Sequence, residues 1–233
     1  MSRTVSGFAI VPGVFDNREI DTISHDLEGE RLRRSRAGAR HLLSVPAVAR
    51  LVSDPRLITL AAEVLGCEPV PFGATLFDKS AEANWLVVWH QDTALPLDER
   101  RETADWGPWS EKAGVIYAHA PATALSKVVA LRVHLDDSTP ENGPLRVLPG
   151  THTLGVLSDA QIQDAARRVE PVTCTIEQGG VIVMRPLIVH ASSKVTVAAA
   201  RKVLHFEYSA ATTFDEGLRL NTSGPALARS TFR

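Results

Sequence analysis

Asn84-Trp85-Leu86-Val87-Val88-Trp89-His90-Gln91-Asp92 is an apolar, aromatic run that stops at a histidine and an acid two residues apart. Valine and tryptophan suit a pleated, half-buried surface, so the run predicts a β-strand. Along a strand, side chains at i and i+2 share a face. His90 and Asp92 would then converge on one point, with Gln91 turned away. Imidazole plus carboxylate is a mixed nitrogen and oxygen donor set suited to a first-row metal such as iron. A second histidine would complete a facial triad.

Outward from this run, the chain beyond Val70 is built of short β-rich segments: Phe72–Phe77, Trp85–Trp89, Val128–Leu135, Leu145–Leu148, Val169–Ile176, Val181–Met184, Ile188–His190 and Val203–Tyr208. Turn signals punctuate them at Glu141-Asn142-Gly143-Pro144 and Gln178-Gly179-Gly180. Strands at this density predict a mainly β fold of sandwich, jelly-roll or barrel type. Before Val70, Phe8–Val11 reads as a strand and Asn17–Leu27 as a helix capped by Asp16. Pro46–Leu65 is helical, broken at Asp54-Pro55 and stopped by Gly66. A further helix is expected at about Ser158–Arg168. With no linker or repeat, residues 1–233 are expected to form one domain. Helices at about 16–66 would back a β core at about 70–210.

The bulk properties exclude several classes. A net charge of −2 over 233 residues gives no reason to expect nucleic acid or an anionic membrane as partner. No apolar run approaches the ~20 residues that span a bilayer. The N-terminus lacks the layout of a signal peptide, and the two cysteines, Cys67 and Cys174, have no near partner. The expectation is a cytoplasmic protein acting on a small molecule.

Thr93–Lys127 is the longest stretch without periodicity, and it follows the proposed metal pair directly. Long loops in compact domains usually carry function, and two tryptophans argue against disorder. It is expected to form a lid that brings Trp106, Trp109, Tyr117 and His119 to a substrate. Arg31–Arg40 is basic and is expected to be a solvated loop.

His90 and Asp92 have rivals, because His134-Leu135-Asp136 and His205-Phe206-Glu207 carry the same spacing. Placement separates them. A jelly roll takes its last ligand from a strand distant in sequence, and a bound carboxylate needs a fixed arginine. His190 lies a hundred residues beyond His90, and Arg201 opens the final strand. The His134 pair with His205 would have to call on Arg219, in apparent coil, and the His205 pair has no histidine after it. His134 shares a strand face with Arg132, and His205 shares one with Arg201, so both histidines are candidates to support the site from behind. His25 and His41 are expected at the surface, and His152 in a turn.

At this point the residues resemble the phytanoyl-CoA dioxygenase (PhyH-like) family of Fe(II)- and 2-oxoglutarate-dependent oxygenases. The matching pieces are Trp89-His90-Gln91-Asp92, then Leu135-Asp136-Asp137, Glu141-Asn142-Gly143-Pro144-Leu145-Arg146-Val147-Leu148-Pro149-Gly150-Thr151-His152, His190-Ala191-Ser192-Ser193 and Arg201. The resemblance implies a double-stranded β-helix with His90, Asp92 and His190 as iron ligands. It also implies 2-oxoglutarate and O2 as cosubstrates, the former held by Arg201 and Ser192, with Lys79, Asn84 and Arg132 as further contacts. The implied reaction is hydroxylation of an unactivated C–H, with release of succinate and CO2. A jelly-roll hydrolase or isomerase could use the same triad, and so could a non-catalytic binding protein. Neither would need Arg201.

Overall fold

The computed structural model describes residues 6–223, apart from 31, 33, 36–37, 80–83, 102, 198–199 and 215–216. Its elements run β1 (Phe8–Val11), α1 (Asn17–Glu28), β2 (Arg34–Ser35), β3 (Gly38–Ala39), α2 (Pro46–Val52), α3 (Pro55–Leu65), β4 (Val70–Lys79), β5 (Val87–His90), β6 (Ala94–Leu97), β7 (Trp109–Lys112), β8 (Val115–His119), α4 (Ala122–Leu125), β9 (Val128–His134), β10 (Leu145–Val147), α5 (Asp159–Arg168), β11 (Val172–Cys174), β12 (Val181–Met184), β13 (His190–Ser192) and β14 (Arg201–Ser209). The fold is mainly β with flanking helices, as expected.

A seven-stranded sheet of order β1-β12-β9-β14-β4-β3-β2 faces a four-stranded sheet of order β11-β10-β13-β5. All the pairings are antiparallel, and neighbours in space are mostly distant in sequence, which is the jelly-roll connectivity.

Strand alternation divides the large sheet into two chemistries. One face carries Leu76, Leu131, Val133, Leu204, Phe206 and Tyr208 and packs against α1–α3. The helices form for local reasons. Asp16 accepts from the backbone of Glu19 while the Glu19 side chain accepts from Asp16 N–H, a capping box. Asp54 and Pro55 start α3, and Gly66, at φ 74°, stops it. The buried Tyr208 hydroxyl donates to Val52 O at 2.8 Å and ties the helical layer to the sheet.

The opposite face of the same strands turns inward and is polar. It carries Lys79, Phe77, Thr75 and Gly73 on β4, Arg201, Val203, His205 and Glu207 on β14, and His134 and Arg132 on β9. Register aligns them as Lys79–Arg201, then Phe77–Val203–His134, then Thr75–His205–Arg132.

Two expectations are corrected. Thr93–Lys127 contains a three-stranded sheet of order β6-β8-β7 and the short α4. Its strands of four or five residues are too short to display a period. It is also a packing unit, with Leu95, Leu97, Trp106, Ala118 and Leu125 buried in one cluster with Phe214. His190 opens β13 where the sequence had it closing a strand. No described helix is long and apolar enough to cross a membrane.

Candidate active site

The site sits between the two sheets, in a cavity of about 410 Å³. His90 ends β5 and pairs in register with His190 at the start of β13, with ring centroids 4.1 Å apart. Asp92 lies just past the strand, held by its N–H donating to Pro186 O at 3.0 Å. Its carboxylate reaches His90 Nε2 at 3.6 Å and His190 Nε2 at 3.4 Å. The three ligand atoms lie within 4.8 Å of one another. Gln91 does turn away from them. Its amide binds Leu187 O at 2.7 Å, Gly155 O at 2.9 Å and Leu157 N at 2.8 Å, so it fixes the segment that carries both ligands.

The tautomers follow from the backbone. His90 Nδ1 lies 2.9 Å from Val88 O, and His190 Nδ1 lies 2.9 Å from Ile188 O. A carbonyl can only accept, so each Nδ1 carries the proton and each Nε2 lone pair faces the cavity, as a metal ligand requires. Burial holds the His190 imidazole at about 4, against the pull of Asp92. Burial works against the Asp92 carboxylate, yet positive charge placed at His190 and His90 beside it outweighs burial and holds it well below the usual range. Two neutral imidazoles and one carboxylate are the donor set that a divalent iron would take.

Beyond the triad lies a cluster of cations. Lys79 is fully buried, Arg201 is 3% exposed and Arg132 is 7% exposed. Lys79 Nζ donates to Ser192 Oγ at 2.9 Å and to Ser193 O. Arg201 Nη2 lies 3.4 Å from Ser192 Oγ, and its Nε lies 3.4 Å from Asn142 O. Ser192 Oγ in turn donates to Gly143 O at 2.8 Å. The Asn142-Gly143 turn therefore supplies two carbonyls that hold the cluster. Gly143 takes φ 70°, and a Cβ there would stand 2.5 Å from Ser193 O.

Arg201 Nη1 is buried with no partner among the described residues. Burial disfavours the charge on all three groups, Arg132 also repels Lys79 and Arg201, and Lys79 is held down at about 8. Unpaired buried charge is costly, and a bound dianion would offset it. The donors present thus fit the far carboxylate of 2-oxoglutarate.

Beside the triad, His205 Nδ1 lies 3.2 Å from Arg132 Nη1, and His134 is fully buried with neither ring nitrogen partnered among the described residues. Burial and Arg132 keep both histidines neutral, His205 at about 3.

The remaining sequence expectations divide. Tyr117 and His119 line the cavity. Trp106, 7% exposed and 5.5 Å from the Phe214 ring, belongs to the core, and Trp109 packs on the same cluster. Asn84 brackets Val195 through both amide atoms, at 2.9 and 2.8 Å, and does not line the cavity. Of the basic run, Arg31, Arg33 and Arg36 lie outside the described residues, but Arg40 reaches the cavity rim where the sequence had it in a solvated loop. His41, expected at the surface, is half-buried with its ring 6.2 Å from Tyr117. Glu207 was read only as a rival metal pair with His205. Its place on the alternating inner row of β14 was the signal that could have found it.

The sequence model of the phytanoyl-CoA dioxygenase (PhyH) family matches residues 5–203. The chain belongs to the phytanoyl-CoA dioxygenase family. L-proline trans-4-hydroxylase of Streptomyces griseoviridis is 28% identical over 190 residues, which are 70% of this chain and 63% of that protein. This family member thus spans less than two thirds of the length of the curated relative it matches. In fold it is similar to AviO1 from Streptomyces viridochromogenes Tue57, with TM-score 0.65, 22% identity, and 89% of this chain and 91% of that one covered. It is similar also to HygX from Streptomyces hygroscopicus with nickel and 2-oxoglutarate bound, with TM-score 0.62, 19% identity, and 90% and 85% covered. The family's jelly roll is therefore this chain's fold.

Proposed function

We propose that this protein is an Fe(II)- and 2-oxoglutarate-dependent dioxygenase that hydroxylates an unactivated C–H of a small metabolite and releases succinate and CO2. The observation that carries this reading is the pairing of a facing His90–Asp92–His190 triad with a buried arginine, Arg201, whose Nη1 has no partner. A hydrolase needs the first and not the second. Family membership and the similarity to a proline hydroxylase support it.

When bound, iron with 2-oxoglutarate and O2 supplies a two-electron oxidation of the substrate C–H, coupled to decarboxylation of the cosubstrate. The chain's own residues do the rest. His90 and His190 offer Nε2 because Val88 and Ile188 hold their Nδ1 protons. Arg201 and Ser192, with Lys79 behind them, take the far carboxylate in charge-assisted hydrogen bonds. Arg132 and His205, 3.2 Å apart, line the same cavity as the triad. Tyr117 and His119 line the same cavity, where substrate would sit. Sheet-borne side chains of this kind hold one C–H in place with little reorganisation.

The test is anaerobic addition of Fe(II) and then 2-oxoglutarate to the purified protein. A visible charge-transfer band is expected, and it should be absent from His90→Ala and His190→Ala. Folded wild-type protein that gives no band would refute the assignment.

A further inference from the structure

Glu207 has no place in the chemistry above. It lies on the inner face of β14, in the same row as Arg201 and His205, and lines the cavity on the side away from Arg201. Among the described lining residues, Asp92 and Glu207 are the only acids, and Asp92 belongs to the triad. A carboxylate has about four acceptor positions. Glu207 fills none of them with a hydrogen bond or ion pair to any described residue. The chain nonetheless makes room for it. Gly73, its partner in register on β4, would place a Cβ 2.3 Å from Glu207 Oε2. A glycine inside a strand weakens that strand and often marks a close approach, which here is the glutamate's.

Two further groups share the recess with Glu207. Arg40 lines both it and the main cavity, and makes no hydrogen bond or ion pair with a described residue. The Tyr117 ring forms one wall. A guanidinium and a carboxyl thus face the same space with no ion pair between them. Burial, with the Asp92 charge, pushes the Glu207 carboxyl up to about 8, while Arg40 pulls it down. The free carboxyl therefore keeps its proton at neutral pH, and a cation seated beside it would favour the charged form. Six residues separate Glu207 from Arg201, about 20 Å of strand at ~3.3 Å per residue. A five-carbon dianion seated at Arg201 ends far short of Glu207, so the recess is free for a second molecule.

We infer that Glu207 and Arg40 are the substrate-recognition pair, and that the substrate is a free amino acid whose ammonium group meets Glu207 and whose carboxylate meets Arg40. This rests on the oxygenase reading for the purpose of the site, though not for the complementarity of the two charges. It also gives Gly73 its reason.

The experiment loads the protein anaerobically with Fe(II) and 2-oxoglutarate, then titrates it calorimetrically with the twenty standard L-amino acids and their N-acetyl derivatives. At least one free amino acid should bind, with its N-acetyl form at least 50-fold weaker. Glu207→Gln should lose the same factor, and Glu207→Asp should recover part of it. Arg40→Gln should weaken the amino acid and leave its methyl ester unaffected. All three variants should keep the charge-transfer band and the wild-type affinity for 2-oxoglutarate, which shows that the fold and the cosubstrate site are intact. The inference is overturned if no free amino acid binds, if N-acetyl derivatives bind equally well, or if Glu207→Gln binds within threefold of wild type. A missing band in the wild type would instead overturn the oxygenase reading, and calorimetry would still decide on the amine.

Discussion

His90 and His190, a hundred residues apart in sequence, face one another in register across β5 and β13 with ring centroids 4.1 Å apart. Each fixes its proton on Nδ1 by the same device, the carbonyl two residues earlier in its own chain. The candidate metal site is therefore set by strand pairing and local backbone, and α1–α3 lie behind the other sheet.

Arg201→Ala should weaken 2-oxoglutarate binding by about 2–3 kcal/mol, roughly 30- to 150-fold, the scale of a charge-assisted hydrogen-bonded pair. Iron affinity should not change, since Arg201 touches none of the triad residues. Titration of the charge-transfer band with 2-oxoglutarate reads both quantities. An unchanged affinity would remove Arg201 from the cosubstrate site.

Gly143→Ala should cost stability and cosubstrate binding together. An L-residue at φ 70° is strained by about 1–2 kcal/mol. The new Cβ would also stand 2.5 Å from Ser193 O and 3.2 Å from the Lys79 side chain. Thermal unfolding should show Tm lower by at least about 2–4 °C, with a raised KM for 2-oxoglutarate.

Tyr208→Phe should lower stability by about 1 kcal/mol, because Val52 O loses a buried donor. The hydroxyl faces the helices, so kcat and both affinities should stay at wild-type values. Urea unfolding alongside steady-state kinetics separates the two effects.

Metal-free protein should be labile to acid. His134 and His205 are buried and neutral, with folded pKa values below the ordinary 6.5, that of His205 near 3. Below pH 6.5 the unfolded chain binds protons that the folded chain refuses. Stability present above 6.5 is therefore lost as pH falls toward 3, at up to about 1.4 kcal/mol per pH unit for each histidine. Replacing His205 by Gln should flatten the Tm profile over that interval. A profile as steep as wild type would place the titrating group elsewhere.

Much of this was legible in the sequence. The core strands were, because apolar runs of β-type residues end at Asn-Gly or Gly-Gly turns. The helices were, because Asp16, Asp54-Pro55 and Gly66 cap them. The convergence of His90, Asp92 and His190 was, because chain order and strand number constrain which distant histidine can meet His90. β6–β8 were not, because four or five residues display no period. Nor was the burial of Trp106, since an aromatic residue in an irregular stretch looks the same whether it meets a substrate or Phe214. Asn84 sits beside the metal strand in sequence but is spent on Val195. Arg40 was hidden among its basic neighbours in sequence, and only the tertiary fold brings it to the cavity. Glu207 was visible as every second residue after Arg201, but its lack of a partner is a fact of three dimensions.

The alternation along β14 has a consequence for how this chain can change. Arg201, His205 and Glu207 occupy one side of a single strand, and Leu204, Phe206 and Tyr208 the other. Loss or gain of one residue within this strand would turn the charged row beyond that point into the helical layer and the apolar row into the cavity. Such an indel would remove activity and stability at one stroke. Point substitutions on the inner row leave the helix-packing face intact. New specificities in this scaffold are thus reached by exchanging side chains in place along β14, and its length and phase are held fixed.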